Sequence, residues 1–457
     1  MMLPAKIALA RAAGALSRRS GRGATSLPGK LLMRMEPHAI GRLAGRLRDG
    51  SAVISATNGK TTTTAMVAAI LERSGTRLVH NRAGANMAGG VASALLRAAR
   101  GGEIDGDAGL FEVDEFWLDS VVPELRPRAL LLANLFRDQL DRYGELETIA
   151  DRWAAAVAAA PATRLVLNAD DPLVADLGRD RRHGVTYVGV QDDGVALAGM
   201  AHASDSKHCR RCGGPYVYDA VYMGHLGRYH CPNGDGRRPR PDVFATGVVL
   251  DGTRGARFEL HLGGERAPVA LPLPGLYNVY NALGAAALAH ALGAGLDEIV
   301  AGLEATQPAF GRAETVRVGG RELAILLVKN PAGANEVLRT LALDEGEHDV
   351  LAILNDRTAD GRDVSWVWDA DFEQLAGRVR RVTCSGTRAA ELALRLKYAG
   401  VAVERLHVMP ALERALDDAL ADGEGRLVAL PTYTAMLALR ELLVARGAAE
   451  GSFACSR

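Results

Sequence analysis

The chain has little with which to staple, charge or anchor itself. Five cysteines stand in 457 residues. Three of them cluster between Cys209 and Cys231, so they do not form the paired framework of a disulfide-stabilised secreted protein. They suit a reducing compartment and a candidate metal site. Net charge is also lacking: 54 basic residues face 54 acidic ones. No global field therefore draws the chain to nucleic acid or to an acidic membrane. No apolar run is long enough to span a bilayer. Arg11, Arg18, Arg19 and Arg22 interrupt the short apolar stretches at the N-terminus, which lacks the sustained apolar region and cleavage site of a secretory signal. An amphipathic helix over residues 4–17 is expected as a packing element, with membrane-surface contact as the alternative. These bounds predict a cytoplasmic protein with no transmembrane segment and no nucleic-acid partner, at most peripheral at the inner face of the plasma membrane. The length allows two or three domains with substantial cores.

What is present centres on Ser55-Ala56-Thr57-Asn58-Gly59-Lys60-Thr61-Thr62-Thr63-Thr64, which follows the apolar run Ala52-Val53-Ile54. Strand, glycine-lysine turn and helix start together describe a nucleotide-phosphate cradle. N–H groups at a helix N-terminus point into such a loop, and the helix dipole favours an anion there. Lys60 adds a point charge for the β/γ-phosphates, and a hydroxyl of Thr61 or Thr62 can reach Mg²⁺. The general pattern places a glycine five residues before Gly59, where this chain has Ile54. A bare Gly-Lys-Thr also fits an ordinary strand–turn–helix, so the remaining residues decide.

Strand-like runs recur at residues 109–113, 129–133 and 164–167 with helical segments between them, which predicts a parallel sheet with right-handed crossovers. From about residue 200 to about 245 the character shifts to Cys, His, Gly, Tyr and Pro, as in an inserted module. Helix signals resume at Asn278–Ala289. Beyond Glu314 a second α/β series begins, with candidate strands at 323–328, 349–354, 379–384, 403–408 and 427–430, as in a doubly wound domain.

Glu112-Val113-Asp114-Glu115 closes a predicted strand. In an open parallel sheet the carboxyl ends of strands line the ligand crevice, where the phosphate loop also opens. Carboxylates there suit Mg²⁺, with Glu112 and Glu115 the preferred ligands; a solvated acidic turn is the plainer reading. Asn134–Gly144 and Asn168-Ala169-Asp170-Asp171-Pro172 follow the next two strands, and either cluster alone is compatible with turn chemistry.

These motifs carry a resemblance. Ala56-Thr57-Asn58-Gly59-Lys60-Thr61-Thr62 resembles the GTNGKTT phosphate loop of the Mur ligases and folylpolyglutamate synthetases, with Ala56 in place of the first glycine. Glu112–Glu115, Asn168–Pro172, Gly275–Leu283 and Phe310-Gly311-Arg312-Ala313-Glu314 resemble later motifs of those ligases, in the same order. The resemblance implies nucleotide contacts for Asn281, Asn278 and Arg312, besides Thr57, Asn58, Gly59, Lys60, Thr61 and Thr62. Only about 50 residues precede the loop, too few for the UDP-binding domain of ordinary Mur ligases. That shortness, the cysteine-rich insert, and the segments Lys329–Gly333, Asn355–Trp366 and Leu430–Thr434 are similar to the MurT branch of the family.

The implied architecture is α/β. A short N-terminal extension (1–48) precedes a Mur-ligase-like central P-loop ATPase domain (49–314), which carries a zinc-ribbon-like insert at about 200–245. A Rossmann-like C-terminal domain (315–457) follows. The implied activity is ATP-dependent amidation of the α-carboxyl of D-glutamate in the lipid II stem peptide. It proceeds through an acyl phosphate, with ATP and Mg²⁺, and uses ammonia from a GatD-type glutaminase partner. A C-terminal-domain aspartate, Asp356 or Asp360, is expected to serve that partner's site; a polar turn is the plainer reading of both. A folylpolyglutamate-synthetase-like amino acid ligase is the alternative.

The insert departs from the branch. A zinc ribbon uses a second Cys-x-x-Cys because tetrahedral Zn²⁺ needs four ligands. Here Cys209 and Cys212 form one pair, but Cys231 is followed by Gly234 where the fourth cysteine belongs. His225, His230 or Asp235 is left to complete a structural Zn²⁺ site, unless the site binds weakly or is lost. Cys384 and Cys455 have no metal-ligand spacing.

Overall fold

The computed structural model describes residues 3–19, 26–81, 85–100, 103–138, 146–200, 204–307, 314–421 and 425–449. Arg312 and the segment 139–145 lie outside the described residues.

The first sheet is built on β1 (Ser51–Ser55), β2 (Leu78–His80), β3 (Ala108–Glu112), β4 (Ala129–Leu132), β5 (Arg164–Asn168) and β6 (Val185–Val190). β7 (Val217–Met223) and β8 (Leu226–His230) form a separate antiparallel hairpin. The chain then rejoins the sheet through β9 (Val243–Asp251), β10 (Gly255–Leu262) and β11 (Glu265–Leu271). Among the described residues the order is β11-β10-β9-β6-β5-β4-β1-β3-β2. The strands from β9 to β2 are parallel to their neighbours, and β9, β10 and β11 pair antiparallel.

The central strands are continuous apolar runs because both faces of a parallel sheet are covered. Their alternation separates two cores. Ala52, Ile54, Leu110, Leu131 and Val166 pack with Met66, Ile70, Val279 and Leu283 on one face. Val53, Phe111, Leu130, Leu132 and Leu165 pack with Val91, Leu95, Val121 and Trp153 on the other. Three helices cover the first face: α4 (Lys60–Arg73), α9 (Leu276–Leu292) and α10 (Leu296–Glu304). On the second lie α1 (Leu3–Arg19), α2 (Leu27–Met35), α3 (Ala39–Ala44), α5 (Ala88–Ala98), α6 (Leu118–Leu125) and α7 (Leu146–Ala158).

The amphipathic N-terminal helix is a packing element: Leu3, Ile7 and Ala10 are buried in this second core. Arg11 caps α5 by donating to Leu96 O at 2.8 Å and 3.1 Å. No helix among the described residues is long and apolar enough to cross a membrane.

The second sheet contains β12 (Glu314–Val318), β13 (Arg321–Ile325), β14 (His348–Ile353), β15 (Val379–Ser385), β16 (Leu406–Val408) and β17 (Leu427–Pro431). Their order is β12-β13-β17-β14-β15-β16, with only the β12–β13 pair antiparallel. Two expected strands shift, and one strand was not expected. The strand read at 323–328 starts at Arg321 and ends at Ile325. The run 403–408 is a 3₁₀ turn over Val403–Arg405 before a short strand. The edge strand Glu314–Val318 alternates partly exposed residues with others, so it offers no continuous apolar run to read.

Helices α2 and α5 approach closely at Gly29, where an added Cβ would lie 2.0 Å from Gly89 O and 2.6 Å from Ser93 N. Backbone atoms cannot yield as a side-chain tip can. Gly29→Val is therefore expected to cost about 1–3 kcal/mol and to lower the thermal midpoint by several degrees in a calorimetric scan. A midpoint unchanged within one degree would contradict this packing.

Candidate active site

β1 ends at Ser55 and the chain turns through Ala56–Gly59 into α4. Gly59 has φ +86°, and an added Cβ would lie 2.1 Å from Asn281 Oδ1. That left-handed conformation and that close approach both demand glycine. Thr57 N donates to Asn134 O at 3.0 Å. Asn58 N donates to Asn134 Oδ1 at 2.9 Å, and Asn134 Nδ2 returns a bond to Asn58 O at 3.0 Å. The Thr57 hydroxyl accepts from Phe136 N at 3.1 Å. The residues that follow β4 thus fix the backbone of the loop.

Lys60 is buried. Its Nζ donates to Glu115 at 2.8 Å, to Thr57 O at 3.4 Å and to Ala56 O. Burial works to lower its pKa, but Glu115 and Asp114 outweigh burial and hold it above the ordinary lysine value. Burial likewise opposes the Glu115 carboxylate; Lys60 and then Lys329 overcome it and keep its pKa below the usual range. The Asp114 carboxyl is pushed up by burial and by the adjacent Glu115 charge.

The carboxylates divide their work. The Thr61 hydroxyl donates to Glu112 Oε1 at 3.1 Å, while Glu115 serves as the counter-ion of Lys60. Thr61 with Glu112 is the oxygen pair suited to a hard divalent cation. Thr62 is buried in the first turn of α4. Asn81 fixes the Glu112 backbone in both directions, accepting from Glu112 N at 3.0 Å and donating to Glu112 O at 2.7 Å. Asn281 Oδ1 accepts from the Thr63 hydroxyl at 3.2 Å, Asn281 Nδ2 donates to Asn278 Oδ1 at 3.0 Å, and Asn278 Nδ2 donates to Pro274 O at 2.7 Å. Both asparagines therefore stand at the phosphate loop.

Several site residues were read in the sequence only as turn chemistry or not at all. Asp171 caps the short helix α8 (Pro172–Asp176) and also accepts from Leu135 N at 2.9 Å, which anchors the segment holding the loop. Asp170 is fully buried and binds the Tyr280 hydroxyl at 2.6 Å, Val190 N at 2.9 Å and Arg238 Nε at 2.5 Å. Asn58 and Asn330 exchange side-chain amide bonds of 3.0 Å and 3.2 Å, and Lys329 Nζ donates to Thr57 O at 3.0 Å. The second sheet thereby reaches the phosphate loop.

The sulfurs of Cys209, Cys212 and Cys231 lie within 4.8 Å of one another, and Cys212 and Cys231 are 3.4 Å apart. Burial raises the Cys209 thiol, but the N–H groups of Cys212 and Arg211 aimed at its sulfur bring it below its ordinary value. Two expected fourth ligands are corrected. His225 sits in the turn before β8, six residues along an extended strand from Cys231, about 20 Å at 3.3 Å per residue. Its ring packs on Phe136 at a centroid distance of 4.8 Å, with Nε2 3.3 Å from Asp171. His230 ends β8 and turns its Nδ1 to within 3.6 Å of Asp219, and the three sulfurs group without it. Asp235, four residues after Cys231, is the remaining candidate, and the three sulfurs group without it among the described residues.

Asp356 and Asp360 follow β14. Asp356 accepts from the Thr387 hydroxyl at 2.8 Å and from Arg388 Nε at 2.8 Å, contacts that hold its carboxyl below the usual range. Asp360 is buried and accepts from Thr434 N at 2.7 Å and from the Thr434 hydroxyl at 2.5 Å, with no cationic partner among the described residues.

Gly59→Ala is expected to weaken nucleotide binding at least tenfold by titration calorimetry, with the thermal midpoint little changed, because the strain falls on the loop. Retained affinity would show that this loop is not the phosphate cradle.

The comparisons agree with this geometry. The family model described as Mur ligase middle domain matches residues 54–233, and MurT ligase C-terminal matches residues 327–436. The MurT subunit of lipid II isoglutaminyl synthase (glutamine-hydrolyzing) from Streptococcus pneumoniae is 33% identical over 430 residues, covering 94% of each chain. Its counterpart from Staphylococcus aureus strain N315 is 34% identical over 450 residues, covering 96% of this chain and 97% of that one. The fold is shared with a pseudomurein peptide ligase type C from Methanothermus fervidus, with TM-score 0.67 and 22% identity over 88% of this chain and 80% of that one. It is also shared with MurF from Acinetobacter baumannii, with TM-score 0.64 and 20% identity over 90% and 80%. A chain with this loop, this fold and relatives matched along nearly its whole length belongs to the MurT branch of the Mur ligase family.

Proposed function

We propose that the chain is the ligase subunit of a lipid II isoglutaminyl synthase, converting the α-carboxyl of stem-peptide D-glutamate to the amide of D-isoglutamine. The observation that carries the chemistry is the buried Lys60 ammonium beside the Thr61–Glu112 oxygen pair on a glycine-lysine loop. A carboxylate repels nucleophiles and has no good leaving group. Transfer of the γ-phosphoryl group of ATP to a carboxylate oxygen gives an acyl phosphate and ADP. The ammonia lone pair then attacks the acyl carbon, the C–O bond to phosphate breaks and a proton is released. Lys60 and the loop N–H groups stabilise charge on the moving phosphoryl group without reorganising. Thr61 and Glu112 would hold Mg²⁺, which neutralises phosphate charge when bound. Asn278 and Asn281 fix the loop's far wall, and Arg312 is proposed to contact the nucleotide as well.

Ammonia is mostly protonated at neutral pH, so a GatD-type glutaminase is the proposed partner that releases it at the site. Of the two candidate aspartates, Asp360 is the better fit to orient that partner's histidine. Its carboxyl is buried and held by Thr434 with no cation beside it among the described residues, whereas Arg388 already pairs with Asp356. The residues about 200–245 are read as a zinc-ribbon-like insert. Three thiols with converging N–H groups suit Zn²⁺, with Asp235 as the oxygen ligand, and the ion would tie the hairpin together. A folylpolyglutamate-synthetase-like activity loses support because the C-terminal segment matches the MurT model.

Mass spectrometry of lipid II incubated with ATP, glutamine and both subunits is expected to show a loss of about one dalton per stem peptide, and Lys60→Ala to abolish it. Unchanged mass with no ATP consumed would overturn the reading. Asp360→Asn is expected to lose glutamine-driven amidation at least tenfold while keeping ammonia-driven amidation, with Asp356→Asn retaining both. The reverse pattern would reassign the role to Asp356.

A further inference from the structure

Lys329 lies on the connection between β13 and α11 (Pro331–Ala342), in the second sheet's unit, yet its ammonium is seated on the phosphate loop. It donates to Thr57 O at 3.0 Å and to Asp138 Oδ2 at 2.5 Å. Lys60 reaches the same Thr57 carbonyl oxygen at 3.4 Å. Two ammonium groups that share one carbonyl oxygen repel each other, so this end of the loop is arranged for concentrated negative charge. In the structure that charge comes from Glu115 beside Lys60 and from Asp138 beside Lys329. The Asp138 side chain is only 8% exposed, and its second oxygen is buried with no hydrogen-bond partner among the described residues.

The next residue fixes the approach. The Asn330 side chain bonds to Asn58 in both directions and also caps α11 by accepting from Gly333 N at 2.9 Å. Lys329 is thus presented by a helix start that is itself fastened to the loop.

We propose that Lys329 is a second phosphate-binding cation of this site, contacting the terminal phosphoryl group of ATP opposite Lys60 and so acting as a catalytic residue in its transfer. Resting on the ligase reading, the assignment gives the second α/β unit a direct part in phosphoryl transfer. Asp138 is the carboxylate that positions the Lys329 ammonium at the loop. The plainer alternative is an ion pair that only fastens the two units together.

The two readings differ in which nucleotide they affect. A contact to the terminal phosphate is lost for ATP and absent for ADP, whereas a fastening pair acts on both alike. With the two-subunit complex, binding of ADP and of the ATP analogue carrying a methylene between the β- and γ-phosphorus is measured for wild type, Lys329→Met and Lys329→Arg. Lys329→Met is expected to weaken the analogue at least tenfold while ADP stays within twofold, and to lower kcat about a hundredfold in the wild-type assay. Lys329→Arg is expected to recover part of both losses. Equal changes for the two nucleotides, or none, would overturn the proposal. If Lys329→Met does not fold, the same comparison is read on Lys329→Arg, with a selective loss for the analogue supporting and an equal loss overturning. Failure of the wild-type complex to amidate would fall on the ligase reading instead, because the nucleotide comparison needs no turnover.

Discussion

An ammonium group carried out of water needs a partner, and in this protein the partner of Lys60 is Glu115 at 2.8 Å. Leaving a buried charge unpaired costs about 3–5 kcal/mol, so the two residues stand or fall together. Their meeting is set by the sheet. β1 and β3 are parallel neighbours in a register that places Ile54 opposite Glu112. A loop that begins one residue after Ile54's neighbour Ser55 therefore opens beside the carboxylates that follow Glu112. A slip of one residue would turn Glu112 and Thr61 away from each other. The apolar alternation that separates the two cores is thus also what brings a hydroxyl, a carboxylate and a cation to one edge.

The elements made from local spacing were legible in the sequence. Gly59-Lys60-Thr61 after an apolar run, and Glu112–Glu115 at the end of another, need only neighbouring residues to be recognised, because strand ends in a parallel sheet share one edge. Contacts set by tertiary packing were not. Asn58 and Asn330 are 272 residues apart in the chain, and no periodicity connects them. His225 was misread because nearness in sequence to Cys231 suggested nearness in space, while an intervening strand carries the two to opposite ends of the hairpin. Asp170 and Asp171 look like an Asx-Pro turn. One of them is a turn cap; the other is a fully buried carboxylate whose Arg238 and Tyr280 partners come from distant segments.

The family resemblance supplied what spacing could not, including Asn278 and Asn281. As bare sequence these are polar residues at the start of an Ala-rich helix. In the structure they form a chain of amide bonds from Pro274 to the first turn of α4, and Asn281 stands where any side chain on Gly59 would collide. The glycine and the asparagine explain each other: the loop must be bare because the wall is close.

On the proposed reaction, two reactive groups have to be protected at once. An acyl phosphate exposed to water hydrolyses, and ammonia released into water at neutral pH is protonated before it reacts. Both losses shrink when the site is dry and the ammonia source adjoins it. The structure supplies the two ends of such an arrangement on different sheets. The phosphate loop follows β1, and the segment Asn355–Asp360 follows β14, each at the carboxyl edge of a parallel sheet. At the loop they are joined by the bond pair between Asn58 and Asn330 together with Lys329 on Thr57, and farther off by Arg339 on Tyr222 O and Val195 O and by Thr253 on Asp344. On that reaction, phosphoryl transfer and the placement of the partner subunit depend on the same inter-unit contacts, which ties the chemistry of activation to the geometry of nitrogen delivery.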